Sequence, residues 1–351
     1  MKRIAKYIIS RLLQRIEFTN VYLDILERRV FFLLEKSSAS ISVSFVFHIE
    51  PDKYVPKEAK RGLYKHYVYP YKYKTVDMLP DYLSDVFCDV KCTLVITNPI
   101  LEERPNIVKE LFKNGHEIGI HPHPQYRPGV DVKIQDNMQM DKFDYNWVYQ
   151  YIRWHVEKLY EIIGEYPVSH VAADFCFTKD IAKALHKISK DYKIPYIIDS
   201  SLNGVPNVCN TYRMDLNNVQ KEDNKSNIIE VPVTGDTFST IGKGFWINWI
   251  NCASFNELKW FFLNTLYRNL KGENGNIVLT YWGHNIDLFA GFIAPAARRN
   301  PEMMQQENIK KLIQYLKTIP NTKIVPLKSL VGSYVNAEFR WKRNEEETKK
   351  Q

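Results

Sequence analysis

Residues 115–129 read GHEIGIHPHPQYRPG and place His121 and His123 on either side of Pro122, directly after a short apolar run. In an extended segment the side chains at i and i+2 project to one face, and proline helps to hold that geometry. Two imidazoles on one face can share a divalent cation such as Zn²⁺. That ion takes imidazole nitrogen and carboxylate oxygen readily, and a catalytic site keeps one position open for water or substrate. The remaining ligand must come from elsewhere in the chain, and HIEPD at residues 48–52 offers Glu50 and Asp52. Taken alone, an HxH pair is a weak signal, since two loop histidines are more often solvated residues than ligands.

The surrounding pattern gives these residues an address. ISVSFVFHIE, residues 41–50, reads as a buried strand, and strand-like and helix-like segments alternate after it. Strands are expected near 92–97, 117–121, 168–173, 195–199, 228–233, 276–281 and 323–325. Helices are expected near 104–114, 145–163, 179–190, 255–270 and 302–318. Repeated strand–helix–strand alternation implies parallel strands with crossover helices, and seven or eight strands in one run point to a barrel. In such barrels chemistry gathers where the carboxyl ends of the strands meet. His48 and Glu50 end the first strand, His121 and His123 follow another, Asp174 follows a third, and His284 ends NIVLTYWGH. All of them fall on that one rim. Asp174 also fits the N-cap of a helix starting near Thr178, and His284 also fits a hydrogen-bonded loop. Trp282 lies beside His284 on the same strand. The polar stretch 202–227 reads as a long loop beside the site.

ERPNIVKELFKNGHEIGIH, residues 103–121, resembles the second motif of the polysaccharide deacetylases, the NodB-homology carbohydrate esterases. In that motif a helix, a GHEIG turn and a metal-binding histidine follow in order. VEKLYEIIGEYPVSHVAADF is similar to the family's third motif with its preceding helix, and IAKALHKISKDYKIPYIIDSSL to its DSS segment. FVFHIEPD stands at the acidic first motif and IVLTYWGH at the last. The resemblance implies a distorted (β/α) barrel over residues 41–335. It further implies metal-dependent hydrolysis of N-acetyl groups on a sugar or polysaccharide in surface-glycan metabolism.

Carried over residue by residue, the resemblance makes His121 a metal ligand, with His123 and Glu50 completing the set. It makes His284 the acid, with His48 or a carboxylate, Glu50 or Asp174, as the base; Asp174 is an acid the motif itself lacks, and Asp52 and Trp282 are the candidate substrate contacts among the neighbouring residues. The chain departs from the motifs at three places. His48 stands where the family has its aspartate base, Gln125 where it has a second histidine, and Val171 near its arginine. His48 therefore fits either a base or a further ligand. The departures also fit a carbohydrate-binding relative that has lost catalysis.

The bulk properties are those of a soluble globular chain: 351 residues, 45% hydrophobic and 25% charged, with a formal charge of +8 spread along the sequence. No segment interleaves aromatic and basic residues as nucleic-acid binders do, so no nucleic-acid partner is expected. Five cysteines without a CxxC pair fit a reducing compartment. With no long apolar run and no clean leader core, the expectation is a cytoplasmic protein. Residues 1–40 read as a helical extension. In MKRIAKYIISRLLQRIEF the residues Ile4, Ile8, Leu12 and Ile16 recur every four positions among basic residues. That pattern suits either peripheral contact of residues 1–18 with an anionic membrane or a helix packed on the barrel. A second apolar helix is expected at 21–34. Residues 336–351 form a charged tail.

Overall fold

A computed structural model describes residues 19–52, 73–124, 140–202, 211–223, 226–234, 255–271, 275–285, 288 and 301–330. The basic segment 1–18, Gln125 and the charged tail lie outside the described residues.

The strands are β1 (Ser40–Ile49), β2 (Thr93–Ile96), β3 (Glu117–Ile120), β4 (Ser169–His170), β5 (Ile197–Asp199), β6 (Tyr212–Arg213), β7 (Ile228–Glu230), β8 (Asn276–His284) and β9 (Thr322–Ile324). They form one sheet in the order β6-β7-β5-β4-β3-β2-β1-β8, with β9 also on β1. Among the strand pairs of the described residues, β6–β7 alone is antiparallel. The sheet curls until Thr234, just past β7, reaches β8. Its N–H donates to the Thr280 carbonyl at 3.2 Å, and its hydroxyl accepts the Thr280 N–H at 2.8 Å. The expected distorted barrel is the architecture observed.

Alternation along the strands sorts the core into two. Val46, Val95, Val171, Ile198, Ile229 and Trp282 cluster inside the curl. Phe47, Ile96, Ile120, Ile197 and Ile228 pack outward with the helices. Burial on both faces is the reason a parallel strand such as TLVI in β2 is apolar apart from Thr93, whose hydroxyl is hydrogen-bonded.

The helices are α1 (Asn20–Lys36), α2 (Lys74–Phe87), α3 (Asn98–Glu103), α4 (Pro105–Lys113), α5 (Tyr145–Ile163), α6 (Lys179–Asp191), α7 (Phe255–Lys271) and α8 (Pro301–Thr318). Helix α5 has the bounds its sequence signals predict: Asp144 caps its first turn and Gly164, at φ 78°, ends it. Helix α1 buries Leu23, Leu26, Val30 and Leu34 and packs against α7. Helix α2 is not evident from the pattern, because Pro80 sits inside it and reads as a break. Two other expectations are corrected. Strand β4 is two residues long where six were expected, because the chain turns into a 3₁₀ turn at Ala173–Phe175. Within the stretch read as a loop, residues 212–213 pair with β7 and Met214 bridges Glu222. A strand of two residues is too short to show a period.

The GHEIG segment is scaffold. Gly115, at φ 86°, makes the turn into β3. The His116 Nδ1 accepts the Cys92 N–H at 3.2 Å. The Glu117 carboxylate plugs the amino-terminal end of the barrel, accepting from Ser169 Oγ at 2.5 Å, Thr93 Oγ1 at 2.7 Å and the Lys328 N–H at 2.9 Å. A Cβ at Gly119 would lie 2.6 Å from the Ser169 carbonyl oxygen.

Two outcomes follow for stability. Gly119→Ala forces β3 and β4 apart and is expected to cost about 1–3 kcal/mol, read as a lower denaturant midpoint at unchanged m-value. A variant as stable as wild type would contradict the close approach. Burial, followed by nearby Lys91, lowers the His116 imidazole from 6.5 to about 4. Its folded value lies below its unfolded value, so its contribution is complete above pH 6.5 and is lost as pH falls toward 4. The expected slope is at most about 1.4 kcal/mol per pH unit. The difference in unfolding free energy between pH 7 and pH 5 should shrink in His116→Gln, which retains an acceptor for Cys92.

Candidate active site

Strand register brings the ring together. In β1, His48 pairs with His284 of β8, and Val46 with Trp282. Parallel neighbours in register project to the same face, so the two imidazoles stand side by side with ring centroids 5.0 Å apart. Glu50 lies two residues beyond His48 and shares its face. His121 follows the last residue of β3, and its ring centroid lies 4.4 Å from that of His48 and 5.6 Å from that of His123. The extended HPH segment thus sends both of its histidines to one place. Glu50, His121 and His123 each offer a donor atom within 4.8 Å of the others, as do His48, Glu50 and His284. Glu50 belongs to both sets.

The orientation of His121 is set by the backbone. Its Nδ1 lies 2.8 Å from the Val171 carbonyl oxygen, which only accepts, so this nitrogen carries the hydrogen. Its Nε2 lies 3.2 Å from Glu50 Oε1. An imidazole lone pair and a carboxylate oxygen so placed repel unless a proton or a cation lies between them. Glu50 Oε2 and His48 Nε2 are buried without a hydrogen-bond partner. Buried polar atoms of this kind are rare in proteins and mark a missing ligand or a functional group.

The electrostatics divide the charges among these groups. Burial, reinforced by His121 and His284, pushes the His48 imidazole well below its usual value. Burial would raise the Glu50 carboxyl, but the facing imidazoles of His121, His284 and His123 hold it well below the usual carboxylate range. At neutral pH the pocket therefore contains an ionised carboxylate beside a neutral His48.

The pocket wall is aromatic. The His48 ring stacks near Trp282 at 5.5 Å and Phe175 at 5.5 Å, and Phe175 meets Trp282 edge-on at 4.7 Å. Trp282 is only 5% exposed. Phe175 sits at φ 55°, a conformation that a bulky residue adopts at a cost. Asp174 precedes it in the 3₁₀ turn, and its side chain lies outside the described residues. Capping of α6 falls to Thr178, whose side chain accepts the Ile181 N–H. Asp52 accepts both the backbone N–H and the hydroxyl of Thr75 at the start of α2.

One group was invisible in the sequence reading. Asn285 accepts the Glu50 N–H at 2.8 Å and donates to the Glu50 carbonyl at 2.8 Å and Thr75 Oγ1 at 2.7 Å. It thereby clamps the backbone of the acid. Its position next to His284 was the available signal.

No family model and no curated protein matches this chain. Solved structures do. A "probable polysaccharide deacetylase" from Pseudomonas aeruginosa PAO1 superposes at a TM-score of 0.54 and 16% identity, over 83% of this chain and 90% of that one. The fold is that of the polysaccharide deacetylases. Puue allantoinase has the same fold, at a TM-score of 0.52 and 15% identity over 83% of this chain and 89% of its own. At such identities it is the architecture that is shared.

Asn285→Ala leaves the Glu50 amide and carbonyl unpaired in a buried site. A loss of about 1–3 kcal/mol is expected in chemical denaturation, whereas a neutral effect would mean that Glu50 is held by other contacts.

Proposed function

We propose that this protein is a metal-dependent deacetylase that hydrolyses N-acetyl groups on a sugar or glycan. The observation that carries the reading is the buried face-off between His121 Nε2 and Glu50 Oε1, together with the unpartnered Glu50 Oε2. This donor set suits a divalent cation of borderline hardness, Zn²⁺ foremost, held by Glu50, His121 and His123. A cation bound there supplies Lewis acidity toward the amide carbonyl and makes water more acidic.

The other residues handle protons and substrate. Neutral His48 accepts the proton of the attacking water. His284, at the mouth with 26% of its side chain exposed, donates a proton to the departing amine as the carbon–nitrogen bond breaks and acetate forms. Asp174, in the turn that carries Phe175 against His48, is the third acid-base candidate. Trp282 and Asp52 shape the wall on the sugar side, Trp282 by packing under His48 and Asp52 by fixing α2. The setting in this reading is surface-glycan synthesis inside the cell, with residues 1–18 as the peripheral membrane contact. Among the described residues no helix is long and apolar enough to cross a membrane.

His48 at the aspartate position of the resembling motif favours a second reading, a non-catalytic carbohydrate-binding relative. The purified protein is expected to contain stoichiometric metal and to release acetate from a panel of N-acetyl sugars. His121→Ala should lose the metal, and His284→Ala should keep it while turnover falls about 10²–10⁴-fold. Metal content is checked by elemental analysis and acetate by a coupled assay. Metal-free wild type with an intact fold sinks the enzyme reading, and bound metal without acetate release moves the balance to the second.

A further inference from the structure

We propose that Asp199 and Ser201 are positioning residues that aim and polarise His121 through a single peptide plane. The peptide joining Val171 to Ala172 is used on both sides. Its carbonyl accepts His121 Nδ1–H at 2.8 Å, and its N–H donates to Ser201 Oγ at 2.7 Å. In a trans peptide these two groups are coplanar and point in opposite directions. Holding the N–H on Ser201 therefore fixes the direction of the carbonyl that His121 needs.

Ser201 is itself held twice by one carboxylate. Its hydroxyl donates to Asp199 Oδ1 at 2.8 Å, and its N–H donates to Asp199 Oδ2 at 3.0 Å. The Oδ1 also accepts His170 Nδ1–H at 2.6 Å. Asp199, Ser201 and His170 are fully buried, so none of these bonds competes with water. Every donor along the path points the same way, from the His121 ring through the peptide and the Ser201 hydroxyl to Asp199. Hydrogen bonds in such a series polarise one another. The path acts as a carboxylate–histidine pair at long range: it selects the Nδ1–H tautomer, aims Nε2 at Glu50 and raises the basicity of that nitrogen. Outer partners of this type influence how strongly a histidine binds a metal.

The consequence for binding rests on the function proposed above, whereas the tautomer of His121 does not. The experiment reads both, on the full-length protein. Nitrogen-detected NMR of the metal-free protein at about pH 8, where imidazoles are neutral, should show His121 as the Nδ1–H tautomer. Ser201→Ala and the isosteric Asp199→Asn should both lower that fraction. In Co²⁺ titrations the same variants should bind about 10–100-fold more weakly than wild type. A purely structural role predicts a lower melting temperature with the tautomer unmoved, and that result overturns the proposal. If Ser201→Ala does not fold, Asp199→Asn decides alone, since it keeps the shape and removes the charge. Wild-type protein that binds no Co²⁺ counts against the metal reading, while the tautomer shift still decides the positioning role.

Discussion

The contact between His121 Nε2 and Glu50 Oε1 is the constraint on which the rest of the site depends. A buried ionised carboxylate is costly unless something positive or a proton donor satisfies it. The protein nonetheless builds the surroundings to hold that geometry. Val171 takes the far side of the His121 ring, and Asn285 takes the backbone of Glu50 on both its N–H and its carbonyl. The acid and the imidazole are each held from behind, so neither can swing away to relieve the contact. A site organised this way is prepared for a ligand that binds both atoms at once.

The same logic explains why the GHEIG stretch is so dense in special residues. Gly115 turns the chain, Gly119 lets β3 lie against the backbone of β4, and Glu117 fastens the opposite end of the barrel to the segment after β9. Only His121, one step beyond β3, reaches the chemistry. The motif is therefore mostly a device for bringing one strand to a defined height in a closed sheet. The DSS segment has a comparable division of labour. Ser200 ties its hydroxyl to the Val231 carbonyl, and Asp199 and Ser201 work toward the neighbouring strand. In both motifs a polar group inside the sheet spends its hydrogen bonds on neighbouring strands rather than on solvent, as burial requires.

Two of the positions that depart from the resembling motifs, His48 and Val171, lie beside His121. At the position of the motif arginine, Val171 contributes a carbonyl instead of a charge. At the position of the aspartate base, His48 lowers the negative charge of the pocket by one and leaves Glu50 as the acid there among the described residues. Four imidazoles around one carboxylate suit cation binding through nitrogen.

Much of this could be read from the chain before any coordinates. Mostly apolar runs marked the parallel strands, because a strand buried on both faces admits a polar side chain only where a partner satisfies it. Spacing marked α5 and α6, because apolar residues at helical intervals must share the buried face. The i, i+2 histidines and the strand-end positions of His48, Glu50 and His284 placed the chemistry on one rim. The short strands β4 and β6 and the helix containing Pro80 were not legible, since a few residues carry no period and a proline hides one. Tertiary structure alone decided that His48 lies beside His284, that a valine carbonyl aims His121, and that His170, without a partner in the sequence pattern, sits on Asp199. Those are facts of register and hydrogen bonding between segments distant in sequence. Local residue preferences do not encode them, because they exist only once the sheet has closed.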